Sequence, residues 1–162
     1  YNDVRKFGSI HWCKNMEDHF LIKNLGVEPL SKNLKVTYLK NIIKNRSVSI
    51  KNLIMNQNII VGVGNIYACE SLYLSQIKPQ RKSSSLSTIE LKKLISNIKL
   101  VLKKAIALGG TTLKDFKNLD GSPGYFEQEL LIYNKEFCKC GKKVINIKLG
   151  GRSSFYCDSC QQ

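Results

Sequence analysis

A chain of 162 residues, 43% of them hydrophobic, can bury the core of one ordinary domain with a small module appended, and its composition argues against a disordered chain. Its 26 Lys+Arg against 12 Asp+Glu give a formal charge of +14, which points to a polyanionic partner, because each neutralised phosphate releases condensed counterions. No apolar run reaches membrane-spanning length and no signal peptide opens the chain, so a soluble intracellular protein without a membrane partner is expected.

The chain opens without Met, and residues 1–13 alternate loosely through Phe7, Ile10 and Trp12, as the last strand or two of an upstream sheet would. Pro29 breaks a loop at 26–30. From about Ser31 the spacing of Leu34, Val36, Leu39, Ile42 and Ile43 predicts a helix. A polar break, Lys44 to Ser47, precedes a second short helix carrying Ile50, Leu53 and Ile54. Val61-Gly62-Val63-Gly64-Asn65 reads as a glycine turn entering a third helix at 66–76. Ser87-Thr88-Ile89-Glu90 has the form of a capping box, and Leu91 to Ala105 keep helical spacing until Gly109-Gly110 ends the segment. A polar loop then runs to Tyr125, and the alternation over 128–134 predicts a short strand leading into the last cysteines.

Those cysteines carry the clearest chemistry. Cys138-x-Cys140 and Cys157-x2-Cys160 are two close pairs separated by a hairpin-length spacer, the pattern of a four-thiolate structural zinc site. A tail this short has no core of its own, so the metal would supply its folding energy. The first pair is one residue shorter than the usual C-x2-C, which leaves Cys138 the ligand most in need of a test. Cys13 and Cys69 stand apart and read as small hydrophobes at least partly buried.

Other residues suit a nucleic-acid partner. Gly62 to Asn65 can bring backbone and a helix N-terminus close to a phosphate, with Arg46 and Lys51 flanking the preceding helix. The chain has only four arginines, Arg5, Arg46, Arg81 and Arg152, and each offers a planar fork that lysine lacks. Arg5 and Phe7 share one side of an extended segment, as a cation beside an aromatic wedge would. Arg152 follows two glycines between the cysteine pairs. His11 and His19 form no ligand set, and Glu28, Glu70, Asp115 and Asp120 are scattered carboxylates with no chemistry assigned.

Taken together and in order, these segments resemble the C-terminal half of bacterial formamidopyrimidine-DNA glycosylase. Asp3-Val4-Arg5-Lys6-Phe7-Gly8 is similar to the family's D-P-R-R-F-G strand, with Val4 in place of proline, and Leu25 to Leu30 to its L-G-x-E-P-L loop. Val61 to Glu70 resembles V-G-x-G-N-I-Y-A-x-E, Gly109 to Phe126 the capping-loop region, and Arg152 to Cys157 the zinc-finger tip. The resemblance implies a mainly α fold with a small β part. It comprises the end of a truncated N-terminal β-sandwich (1–13), a helix–two-turn–helix domain (14–108), a lesion-capping loop (109–127) and a zinc β-hairpin finger (128–162).

It further implies a bifunctional glycosylase and abasic-site lyase of base-excision repair, a monomer of the bacterial cytoplasm and nucleoid. Such an enzyme removes 8-oxoguanine and formamidopyrimidines from double-stranded DNA and nicks the strand by β,δ-elimination. Arg5 would contact the orphaned base, Phe7 would wedge into the stack, and Arg46, Lys51, Gly64 and Asn65 would bind phosphates. The loop with Tyr125 would cover the flipped purine. Arg152 would contact DNA and serve the elimination step, and one structural Zn²⁺ would sit on Cys138, Cys140, Cys157 and Cys160. The family's nucleophile, an N-terminal proline amine, and its assisting Glu and Lys belong to the N-terminal domain, so these residues alone would bind DNA without excising a base. The alternatives are an endonuclease VIII-type glycosylase for oxidised pyrimidines, against which the long loop argues, and a non-catalytic zinc-containing nucleic-acid-binding protein.

Overall fold

The computed structural model describes residues 7–111 and 124–162. Arg5 and most of the expected capping loop lie outside them. The first helix, α1, spans Val36–Ile43 and starts later than its apolar spacing suggests. The reason is Ser31, whose hydroxyl donates to the Glu28 carbonyl at 2.8 Å and accepts from the Asn33 amide at 3.1 Å. Such side-chain bonds favour a turn over a helix start. Helix α2, Ile50–Ile54, begins at Ser49, whose hydroxyl accepts from the Asn52 amide. Two turns then lead to α3, Asn65–Ser75, which closes on Gln76 in the left-handed conformation.

The loop at 25–30 lies along those two turns. The Gly26 amide donates to the Gln57 carbonyl at 2.7 Å and the Val27 amide to the Ile59 carbonyl at 3.1 Å. A methyl group on residue 26 would collide with the Ile59 backbone, so only glycine allows this approach.

Strands β1 (Ile145–Leu149) and β2 (Arg152–Tyr156) form an antiparallel hairpin with Leu149 opposite Arg152. Gly150 and Gly151 turn it with φ of 55° and 76°, which places Arg152 at the first position of the returning strand.

Of the two strands expected from sequence, the first has no partner ladder among the described residues and the second needs correction. Residues 7–13 belong to no strand among the described residues, and Phe7, Ile10 and Trp12 are 84%, 78% and 98% exposed. An alternating segment becomes a strand only with a partner ladder, and none of the described residues supplies one. The segment 128–134 is likewise no strand: a 3-10 turn covers Phe126–Glu129, and further turns follow. Phe126 and Leu130 pack with Val101 and Ala105, so this segment leans on the helical body.

Helix α4, Thr88–Ala107, packs chiefly against α3 and also against α1. It buries Leu91, Leu94, Ile98 and Leu102 in the main core with Leu39 of α1 and Leu72 of α3. Each large aliphatic side chain so buried contributes about 1.5–3 kcal/mol. Its start is the capping box expected from sequence: the Ser87 hydroxyl accepts from the Glu90 amide at 3.2 Å, and the Glu90 carboxylate accepts from the Ser87 amide at 2.7 Å. Arg81 also holds that carboxylate through two guanidinium nitrogens, at 2.5 and 3.1 Å. Ser87→Ala should therefore cost about 1 kcal/mol in urea unfolding. Glu90→Ala should cost more, because it also strands Arg81; equal losses would contradict this division of roles.

Candidate nucleic-acid interface and metal centre

Two of the expected phosphate-binding residues, Lys51 and Asn65, meet, and the first of them is not at the surface. Lys51 of α2 is fully buried. Its ammonium donates to Asn65 Oδ1 at 2.5 Å, to the Ser153 carbonyl at 3.0 Å and to Ser154 Oγ at 2.5 Å. An ammonium has three protons, so its hydrogen-bonding capacity is filled by one residue of α3 and two of β2. Burial pushes the Lys51 pKa below its ordinary value; the neighbouring Cys69 thiol opposes this and the Arg152 guanidinium adds to it.

This network fixes Asn65. Because its Oδ1 accepts from Lys51, its Nδ2 is turned to the hairpin and donates to the Ser153 carbonyl at 3.0 Å. Asn65 is the first residue of α3, and Gly64 is the N-cap, which has no side chain to bond the first-turn amides. Gly64 has φ −80°, which any residue adopts, and an added Cβ would meet nothing within 4 Å. Neither backbone strain nor internal packing requires glycine there, and the helix end faces open space.

The exposed Arg152 is covalently next to Ser153, so the hairpin's arginine, Gly64 and Asn65 form one surface. Arg46 is exposed in the turn after α1, where its carbonyl accepts from the Ser83 hydroxyl at 3.0 Å. Tyr125, 55% exposed, lies at the far end of α4, bridged to Thr111. Phe7 is exposed in the N-terminal segment. Close to Thr111, Pro29, Gly62, Tyr67, Ile106 and Gly110 line a cavity of about 590 Å³.

The four C-terminal cysteines converge. All four sulfurs lie within 4.8 Å of one another, with 3.8 Å between Cys138 and Cys160 and 3.5 Å between Cys140 and Cys157. A tetrahedral thiolate site with metal–sulfur bonds of about 2.3 Å needs sulfur–sulfur edges of about 3.8 Å. The donor set therefore fits a metal ion, and the short Cys138-x-Cys140 pair does not prevent it. A tight turn brings that pair together: the Cys138 amide donates to the Lys142 carbonyl at 2.8 Å and the Gly141 amide to the Cys138 carbonyl at 2.9 Å. Burial alone would raise the Cys138 thiol, but the Cys140 amide, the Tyr73 hydroxyl and the neighbouring thiols bring it down to about 6. Cys69 is buried as expected, whereas Cys13 is exposed on the N-terminal segment, against expectation.

Sequence reasoning missed Glu70. It is 2% exposed, and its carboxylate accepts from the amides of Leu131, Ile132 and Tyr133 at 2.9, 3.0 and 2.8 Å. These are amides that a strand would have offered to a ladder, so Glu70 explains why 128–134 is not one. The available signal was a carboxylate within Ala68-Cys69-Glu70-Ser71-Leu72, a stretch of α3 buried on all sides.

The family model for the formamidopyrimidine-DNA glycosylase H2TH domain matches residues 25–117. The chain belongs to this family. The formamidopyrimidine-DNA glycosylase of Rickettsia felis is 52% identical over 165 residues, covering 99% of this chain and 60% of that protein. The crystal structure of MutM (Fpg) from Thermus thermophilus superimposes with a TM-score of 0.82 at 35% identity, over 87% of this chain and 55% of that one. A complex of Lactococcus lactis Fpg with abasic-site-containing DNA gives 0.80 at 34% identity, over 88% and 54%. The chain thus spans about 60% of the length of the curated relative. The H2TH match takes in α1 to α4 and the Gly64–Asn65 helix end, while the hairpin and cysteine cluster lie beyond it.

Two outcomes follow for these buried polar groups. Lys51→Met leaves Asn65 Oδ1 without its donor and the Ser153 carbonyl with only Asn65 Nδ2, and should lower stability by about 1–3 kcal/mol in denaturant titration. Glu70→Ala should speed hydrogen exchange in the peptide spanning Leu131 to Tyr133 well beyond its effect elsewhere. Uniform acceleration along the chain would instead mean that Glu70 serves only global stability.

Proposed function

We propose that this chain is the DNA-gripping part of a bifunctional glycosylase and abasic-site lyase that removes oxidised purines and nicks the strand by β,δ-elimination. The observation that carries the reading is the docking of Ser153, the chain neighbour of Arg152, on the open Gly64–Asn65 helix end through Asn65 and Lys51. An arginine fork beside an uncapped helix N-terminus is suited to adjacent phosphates of one strand. The family membership, and the DNA bound by the Lactococcus lactis relative, support the same partner.

Within this reading, residues 1–13 end an N-terminal β-sandwich, 14–108 form the helix–two-turn–helix domain, 109–127 the lesion cap and 128–162 the finger. Arg5 reads the orphaned base, Phe7 fills the gap, Arg46 holds a flanking phosphate and Tyr125 belongs to the cap. Arg152 also serves elimination. Lys51 does not reach a phosphate itself; it acts by orienting Asn65 and the hairpin. The metal is one structural Zn²⁺ on Cys138, Cys140, Cys157 and Cys160, which offsets half of their thiolate charge and closes the finger. The nucleophilic amine and its assisting groups belong to the remaining length of the enzyme, so these residues bind damaged duplex without excision.

The test is binding to a duplex with an abasic-site analogue across a salt series. Arg152→Ala should weaken binding and reduce the salt slope by about 1, as expected for one lost phosphate contact. Gly64→Ala should leave thermal stability unchanged while weakening binding, because the added methyl meets only the ligand. Undiminished affinity in both variants would remove the proposed grip.

A further inference from the structure

The metal centre has a hydrogen-bond partner from outside its own module. Tyr73, in the last turns of α3, places its hydroxyl 3.2 Å from Cys138 Sγ. Cys69, four residues earlier and so on the same face of the helix, packs in one cluster with Cys138 and Cys157. Among the described residues no other hydroxyl is hydrogen-bonded to a sulfur of the set.

We propose that Tyr73 is a positioning residue of the metal centre, donating its hydroxyl proton to the Cys138 thiolate and holding the first sulfur of the shortened pair in the tetrahedron. This rests on the reading of the four cysteines as a metal site. A metal-bound thiolate carries no proton, so in the loaded protein the tyrosine is the donor. Four thiolates around a divalent cation leave a net charge of −2, and a hydroxyl aimed at one sulfur disperses part of it. Cys138 is where such help matters, because a one-residue spacer leaves less freedom to aim its sulfur than two residues would. The bond also anchors the finger to the helix whose first turn carries Gly64 and Asn65, so the metal site and the proposed grip share one rigid element.

The experiment compares the full 162-residue chain with Tyr73→Phe, which removes only the hydroxyl. Each is loaded with one equivalent of Zn²⁺, and transfer to a chromogenic chelator is followed. Each is then loaded with Co²⁺ to record its thiolate-to-metal charge-transfer absorption. Loss of an outer hydrogen bond of this kind weakens metal binding about 10-fold or more, so Tyr73→Phe should release Zn²⁺ correspondingly more readily. Its charge-transfer band should move to longer wavelength as the sulfur becomes more electron-rich. An unchanged release rate overturns the proposal. So does faster release with a superimposable Co²⁺ spectrum, which would assign Tyr73 to packing alone. If the wild-type chain retains neither metal, the metal-site reading fails first and this inference with it.

Discussion

The arrangement turns on a cation placed where a basic protein has least reason to put one. Lys51 is buried without a carboxylate partner, held only by neutral acceptors from α3 and β2. Such a charge is tolerated because all three of its protons are matched, and the match exists only when α2, α3 and the hairpin are docked together. Removing any one of them exposes or orphans the ammonium. The hairpin, which contributes little core of its own, is thereby registered against the helices to hydrogen-bond accuracy. That registration makes Arg152 and the Gly64–Asn65 end a single surface instead of two loosely related ones.

Helix α3 is the element on which the other links converge. Asn65, Cys69 and Tyr73 follow one another at four-residue intervals and so line one face. In turn they bond the Ser153 carbonyl, pack on the sulfurs and reach Cys138. Glu70 binds the segment leading into the finger. An adjoining face of α3 packs in the main core through Ala68 and Leu72. A helix buried on both faces cannot show a clean apolar stripe, which is why its pattern reads as weakly amphipathic although its position is tightly determined.

The helical body was legible because its signals are local. The Ser87–Glu90 box and the spacing from Leu91 to Ala105 locate α4 to within a residue at each end. The cysteine pairs and the Gly150-Gly151 turn likewise foretell a finger with an arginine at its tip. The errors arose where a distant partner decides. Residues 128–134 alternate like a strand, yet a carboxylate some sixty positions earlier takes their amides. Lys51 has the side chain of a surface cation, and nothing near it in sequence reveals that two of its three acceptors lie about a hundred residues away. Periodicity reports which side chains face inward; it does not report which polar group answers a buried donor.

Arginine scarcity sharpens the proposed mode of binding. Of the four arginines, Arg81 is internal in purpose, joining Glu90 through two nitrogens at the start of α4. Arg46 and Arg152 are exposed, and Arg152 sits beside a helix end that lacks a capping side chain. The abundant lysines supply a long-range attractive field, which is sequence-independent and strongly screened by salt. A field of that kind draws a duplex in but cannot fix its register. Register requires short, directional donors on a rigid base, which the guanidinium and the first amides of α3 provide. The buried lysine completes this division of labour: one cation is withdrawn from the field so that the donors at the surface keep their geometry.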